Sequence, residues 1–190
     1  MFRKELIVTV RRRDGRVETR RVVVDKKVGG DQGGDLVTLW AFRLISCFFA
    51  EATRGTSVSF SFVDLGGSSR TQVCIGTATS DFLASGCADR APYIGFGSST
   101  IPPARIDYVL RSGLARVRAS RWVDESTFTF TIVGSWTPDS DVSVCEVGLY
   151  MLVCDGGGGA RYVLFDRSVL TPCISVTAGS TISVSYIFRF

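Results

Sequence analysis

The sequence predicts a mainly-β fold: an antiparallel two-sheet sandwich of jelly-roll or Ig-like type, with an N-terminal β-hairpin arm and one apolar helix. Three observations predict it. Apolar and polar residues alternate with period two along much of the chain, as Val58, Phe60 and Phe62 do against Ser57, Ser59 and Ser61. Turn residues rather than helical segments separate these runs, which argues for antiparallel pairing. Only residues 36–51 carry a sustained helical spacing.

Residues 5–12 read as a strand, Asp14-Gly15 as a hairpin turn and residues 17–24 as the returning strand. Residues 28–35 hold four glycines and read as a flexible linker. The chain therefore divides into an arm at 1–27, a linker at 28–35 and a helix-plus-sandwich domain at 36–190. In the helix, Leu36, Leu39, Trp40, Arg43, Leu44, Cys47 and Phe48 fall at helical spacing, with Asp35 placed to cap it. Its second half is apolar nearly all round, which implies cover on more than one side, from a sheet or a neighbouring subunit.

Beyond it, a strand at 57–63 turns at Gly66-Gly67 and returns over 69–75. Residues 76–92 are small and polar, an irregular loop. Tyr93–Gly97 is a short strand, and residues 98–110 open with turn residues and lead into one or two helical turns, with Pro103 near their start. Strands follow at 115–123, 127–136 and 142–153; in the second, Phe128, Phe130, Ile132 and Trp136 share one parity. Residues 155–160 form a glycine-rich tip. A strand at 161–165, with 166–170 beyond it, and a segment at 173–177 precede the Ala178-Gly179 turn. The last strand puts Ile182, Val184, Tyr186, Phe188 and Phe190 on one face, which suits a strand deep in a sheet.

The 190 residues suit one domain with a sizeable core. No apolar run approaches the roughly 18 residues of a membrane span, and the N-terminus lacks a signal-peptide pattern. The chain contains no His and no Asn. That excludes Ser-His-Asp and Cys-His catalysis, His-ligated metals and N-glycosylation. The only side-chain amides are Gln32 and Gln72. Scarcity of thermolabile amides fits a hot environment, although a GC-rich genome produces the same bias.

The net charge of +4 is unevenly spread: residues 1–27 carry ten basic and four acidic side chains, a local +6. Arg11, Arg12, Arg13, Arg16, Arg20 and Arg21 form a basic patch suited either to phosphates or to the solvated face of a hairpin. The six cysteines, Cys47, Cys74, Cys87, Cys145, Cys154 and Cys173, lack zinc-ribbon and thioredoxin spacing. They are open to disulfide pairing in any connectivity or to burial as free thiols, except that Cys145 and Cys154 lie too far along one strand to bond each other. Gly95-Phe-Gly97 and Gly156–Gly159 lack the companions of a nucleotide-binding loop. Asp124, Glu125, Asp139, Asp141 and Asp155 sit in turns, and Glu146, mid-strand, reads as structural. No catalytic residue, cofactor site or metal site is expected.

Four motifs together resemble small tail-fibre-like or virion-surface structural proteins encoded by viruses and proviruses of thermophiles, archaeal viruses especially. They are the hairpin around Arg12-Arg13-Asp14-Gly15-Arg16-Val17; the apolar helix with the turn segment 63–71; the segment 94–110, with its Gly-Phe-Gly, Ser-Ser-Thr, Pro-Pro and Asp-Tyr elements; and the strand runs 146–150, 164–170 and 176–184. The cysteines and the Gly-Gly linker depart from that pattern. The resemblance implies a building block of a particle or filament, carried in the virion and made in the host cytoplasm. It also implies no enzymatic activity and, as partners, copies of the chain itself, other virion proteins or a host surface.

Physics suggests how such a block assembles. A hairpin on a flexible linker can add strands to a neighbour's sheet, and a head-to-tail contact that does not close makes a filament. The expected assembly residues are Leu6, Val8, Val10, Val22 and Val24 in the arm and Trp40, Leu44 and Phe48 in the helix. Two alternatives stand beside this: a nucleocapsid protein holding nucleic acid through the basic segment, and an adhesin binding host glycans through loops 76–92 and 155–160.

Overall fold

The computed structural model describes residues 3–24, 35–37, 57–75, 91–104, 106–154 and 160–189. These residues form a mainly-β structure of two five-stranded antiparallel sheets and a separate hairpin, with no helix among them. The strands are β1 (Arg3–Arg11), β2 (Val17–Val24), β3 (Asp35–Val37), β4 (Ser57–Val63), β5 (Ser69–Ile75), β6 (Tyr93–Gly97), β7 (Gly113–Arg118), β8 (Ser120–Asp124), β9 (Thr129–Trp136), β10 (Val142–Cys154), β11 (Ala160–Val176) and β12 (Thr181–Arg189). Sheet A runs β2-β1-β12-β9-β8, sheet B runs β3-β11-β10-β6-β7, and β4 pairs with β5.

Period-two alternation explains the core. Leu6, Val8 and Val10 of β1, Ile132 of β9, and Ile182, Val184 and Tyr186 of β12 are buried on one face of sheet A. They share a single cluster with Ile94, Phe96, Val147, Leu149 and Ile174 of sheet B. The last strand behaves as its pattern requires, alternating buried and half-buried residues throughout. The predicted hairpin forms around Gly15, whose φ of +83° needs glycine. In this structure the hairpin is the outer pair of sheet A. β1 pairs with β12 from Arg3↔Arg189 to Arg11↔Thr181, so the first and last strands close the sheet together.

Several sequence expectations need correction. Asp35 does not cap a helix: Asp35–Val37 is a strand whose backbone pairs with Ser168, Arg167 and Asp166 of β11, so the expected helix does not begin at Leu36. Residues 38–51, with Trp40, Leu44, Cys47 and Phe48, lie outside the described residues, as do 28–34 of the linker, 76–90 of the long loop (Cys87 included) and the tip at 155–159.

The strand expected over 115–123 is two strands in different sheets. The chain crosses from β7 to β8 at buried Ala119, whose N–H donates to the Pro92 carbonyl at 2.8 Å. Alternation continues across such a corner and so hides it.

Phe128 is not part of the core row. It sits in the turn before β9 with φ +50° and is exposed. The described residues of segment 98–110 form no helix: among them a single turn, Asp107 N–H to the Ala104 carbonyl at 3.0 Å, is the backbone bond of helical type, and Pro102 and Pro103 supply no N–H donors. The separate strand segments expected over 161–177 merge into β11, which absorbs their breaks as register shifts opposite β10.

Candidate functional site: buried ion pairs and open sheet edges

Strands β10 and β11 and the loop before β7 meet on the outer face of sheet B. Glu146 of β10 lies on the parity opposite core residues Val147 and Leu149, and it is still wholly buried because residues 98–112 cover it. Its carboxylate accepts from the backbone N–H of Ser112 at 2.8 Å and of Arg111 at 3.3 Å. Arg167 of β11, also wholly buried, donates from Nε to Glu146 at 2.7 Å, from Nη1 to Asp107 at 3.1 Å and from Nη2 to the Ile101 carbonyl at 3.0 Å. Arg111 closes the cluster on Asp107 at 2.5 Å. One guanidinium thus fastens a proline-containing loop to two strands. A planar five-donor fork is suited to this, and a lysine ammonium is not.

Gly97 is required at the same place. A Cβ there would stand 2.5 Å from Glu146 Oε1 and 2.7 Å from the Ser112 carbonyl oxygen. The glycines of Gly95-Phe-Gly97 serve close packing, which agrees with their reading as strand glycines. Beside them Tyr150 accepts the Leu110 N–H at 3.0 Å, and burial pushes its phenol up to about 12.

The guanidinium of Arg116 lies 5.7 to 5.9 Å from the ring centres of Tyr93, Tyr162 and Tyr150. A groove of about 360 Å³ runs past Leu65, Gly95, Leu110, Leu114 and Arg116. The turn between β4 and β5 docks nearby through the Leu65 N–H on the Tyr162 carbonyl. Within that turn burial pushes the Asp64 carboxyl up, but the Ser68 and Gly66 N–H groups and Arg70 outweigh it and hold it below its ordinary value.

A second ionic contact crosses between the sheets. Lys4 shares the parity of Leu6, Val8 and Val10 and so points into the core, where Nζ lies 2.5 Å from Asp166 Oδ1. A third lies on the outer face of sheet A. There Glu5 is buried beneath Arg21 and Arg189, and the hydrogen bond from Arg21 chiefly holds its carboxyl below the ordinary value, against the effect of burial.

Of the expected assembly residues, Leu6, Val8 and Val10 are buried in the chain's own core. Val22 and Val24 lie on β2, the edge strand. Trp40, Leu44 and Phe48 are outside the described residues. In the basic patch, Arg12 pairs with Glu18, Arg16 with Asp14 and Arg21 with Glu5; Arg20 reaches Glu18 and the Pro172 carbonyl. Arg11 and Arg13 are exposed, and Arg13 lies against Gly179.

Cys145 and Cys173 form a disulfide across β10 and β11. Cys74 and Cys154 occupy β5 and the end of β10.

The other end of sheet A differs in kind. All five residues of β8 are exposed. Val123 pairs with Phe130 on the face that elsewhere forms the core, yet it is 66% exposed. Trp122, on the opposite face, is 51% exposed. The apolar inner row from Lys4 through Phe188 and Phe130 to Val123 therefore runs out into solvent.

Among the described residues no group of His, Cys, Asp or Glu could hold a metal ion, and no helix is long and apolar enough to cross a membrane. Sequence reasoning singled out Glu146 and overlooked Asp107, Tyr150, Asp166 and Arg167. One available signal was Lys4, a charge at a core parity. Comparison with known proteins finds no matching family model, no matching curated protein and no matching solved structure.

Proposed function

We propose that this chain is a self-assembling structural subunit of a filament, fibre or other virion surface structure. In this reading it is a sandwich of jelly-roll or Ig-like type, joined to its neighbours by β-strand addition and without enzymatic activity. The observation that carries the reading is the β8 edge, where, among the described residues, a strand of sheet A is exposed along its whole length and the core-facing row ends at exposed Val123. Unpaired backbone groups beside exposed apolar side chains are a template for another strand.

The opposite edge supplies a donor. β2 ends sheet A, and the hairpin β1–β2 connects to the rest of the chain through a glycine-rich sequence. Addition of β2 to the β8 edge of a neighbour leaves β1 on β12 of its own chain and continues sheet A from copy to copy. Nucleic-acid binding draws less support, because Arg12, Arg16, Arg20 and Arg21 are already engaged by carboxylates.

Deletion of residues 1–27 would open the core along β12, so the informative variant is at the acceptor edge. Sedimentation and electron microscopy of the full chain are expected to show multimers that grow with concentration. Val123→Lys should reduce them to monomers with an unchanged circular dichroism spectrum. A monomer at every concentration, or assembly indifferent to Val123→Lys, overturns the reading. Binding of duplex DNA that falls steeply with salt would favour the nucleocapsid alternative.

A further inference from the structure

Lysine is almost never fully buried, yet Lys4 is 1% exposed and Asp166 wholly buried, with Nζ 2.5 Å from Oδ1. The pair joins β1 of sheet A to β11 of sheet B. Ser168 Oγ lies 3.4 Å from Nζ and 3.0 Å from Asp166 Oδ2, so one hydroxyl touches both partners. Nζ is 5.3 Å from the centre of the Tyr186 ring, and Phe188, opposite Lys4 in the sheet register, packs edge-on against Phe165. An amine and a carboxyl group are thus held in contact in a site walled by aromatic rings.

We propose that Lys4 and Asp166 condense spontaneously into an amide, a covalent cross-link between the two sheets. One proton passes from the ammonium to the carboxylate, giving a neutral amine and a neutral acid. The Nζ lone pair attacks Cγ, a second N–H proton passes to the departing oxygen, and the Cγ–O bond breaks. One water leaves, no atom changes oxidation state, and no co-reactant is required. Ser168 Oγ is placed to relay the second proton.

Two physical terms drive the step. Groups held in contact react with effective molarities on the order of 10⁵–10⁸ M. Two charges kept out of water carry a desolvation cost that the neutral amide does not. Hydrolysis would require water to re-enter the core. The inference stands independently of strand addition: Lys4 and Asp166 meet within one chain, and addition of strands at the β8 edge leaves both in place.

The test is mass spectrometry of the folded, then reduced, alkylated and denatured full chain. The chain should be lighter by one water than its sequence with all six cysteines alkylated. A tryptic digest should contain a branched peptide joining residues 4–11 to residues 162–167. Lys4→Arg, which keeps a cation at the position, should restore the full sequence mass and remove the branched peptide while the circular dichroism spectrum is retained. If Lys4→Arg fails to fold, the branched peptide in the unaltered chain decides alone. An unmodified mass overturns the proposal. So does a water loss that maps to a cyclic imide at Asp14-Gly15 or Asp155-Gly156 with peptides 5–11 and 162–167 found separate.

Discussion

Arg167 donates from Nε to Glu146 at 2.7 Å, and neither side chain has any exposure to solvent. The pair joins adjacent strands, and through Asp107 and the Ile101 carbonyl it also holds the loop that covers sheet B. Removing one member strands the other charge in a dry site, which typically costs about 3–5 kcal/mol. Arg167→Ala is expected to lose that much in urea-induced unfolding. Arg167→Lys should recover only part of it, because an ammonium cannot serve Glu146, Asp107 and Ile101 together. An unchanged denaturation midpoint in Arg167→Ala would show that the cluster contributes nothing to the fold.

The Cys145–Cys173 disulfide closes a sequence separation of 28 residues. Chain-entropy reasoning gives about 3–4 kcal/mol for a loop of that size. The double substitution of Cys145 and Cys173 by Ser is expected to lower unfolding free energy by about that amount, and peptide mapping of the unaltered protein should recover the two cysteines in one linked fragment.

Tyr150 ionises only at about pH 12 in the folded chain because its ring is buried. The unfolded phenol titrates near pH 10. A group whose folded value is raised contributes stability fully below the unfolded value and loses it as pH rises through the folded one. Stability should therefore fall between about pH 10 and about pH 12. Tyr150→Phe should flatten that part of the curve. The same substitution at neutral pH removes the acceptor for the Leu110 N–H, at a cost of about 1–3 kcal/mol for a buried unpaired donor.

Glu5 shows the opposite sign. Its carboxyl is held below the ordinary value of 4.5, first by the hydrogen bond from Arg21. Its contribution is present above the unfolded value and is lost as pH falls through the folded one. Acid unfolding monitored by circular dichroism is expected to lose a component below pH 4.5. Glu5→Gln and Arg21→Ala should each remove it. Arg21 is exposed on its outer side, so solvent screens the pair and the effect is expected to be smaller than that of the Arg167 cluster.

Strand positions and the core were legible in the sequence wherever one face of a strand is buried and the other is not. The β1 strand, the β12 row and the Gly15 turn follow from local sterics and period two alone, because both act within a few residues; that Leu6, Val8 and Val10, expected as assembly residues, fill the chain's own core does not. The mid-strand Glu146 could likewise be read as structural.

The charged contacts were not legible. Asp107, Glu146 and Arg167 are up to 60 residues apart in sequence, and Lys4 and Asp166 stand on facing sheets. Such pairs exist only once sheet order and register bring the strands together. For the same reason tertiary structure alone decided that the chain changes sheets at Ala119, that Asp35–Val37 forms an edge strand on β11, and that β12 lies between β1 and β9. By itself the sequence determined the period-two apolar rows from which the core is drawn. The pairing of strands determined which charges had to be buried with them, because a strand's partners depend on closing long loops, and local alternation carries no record of those.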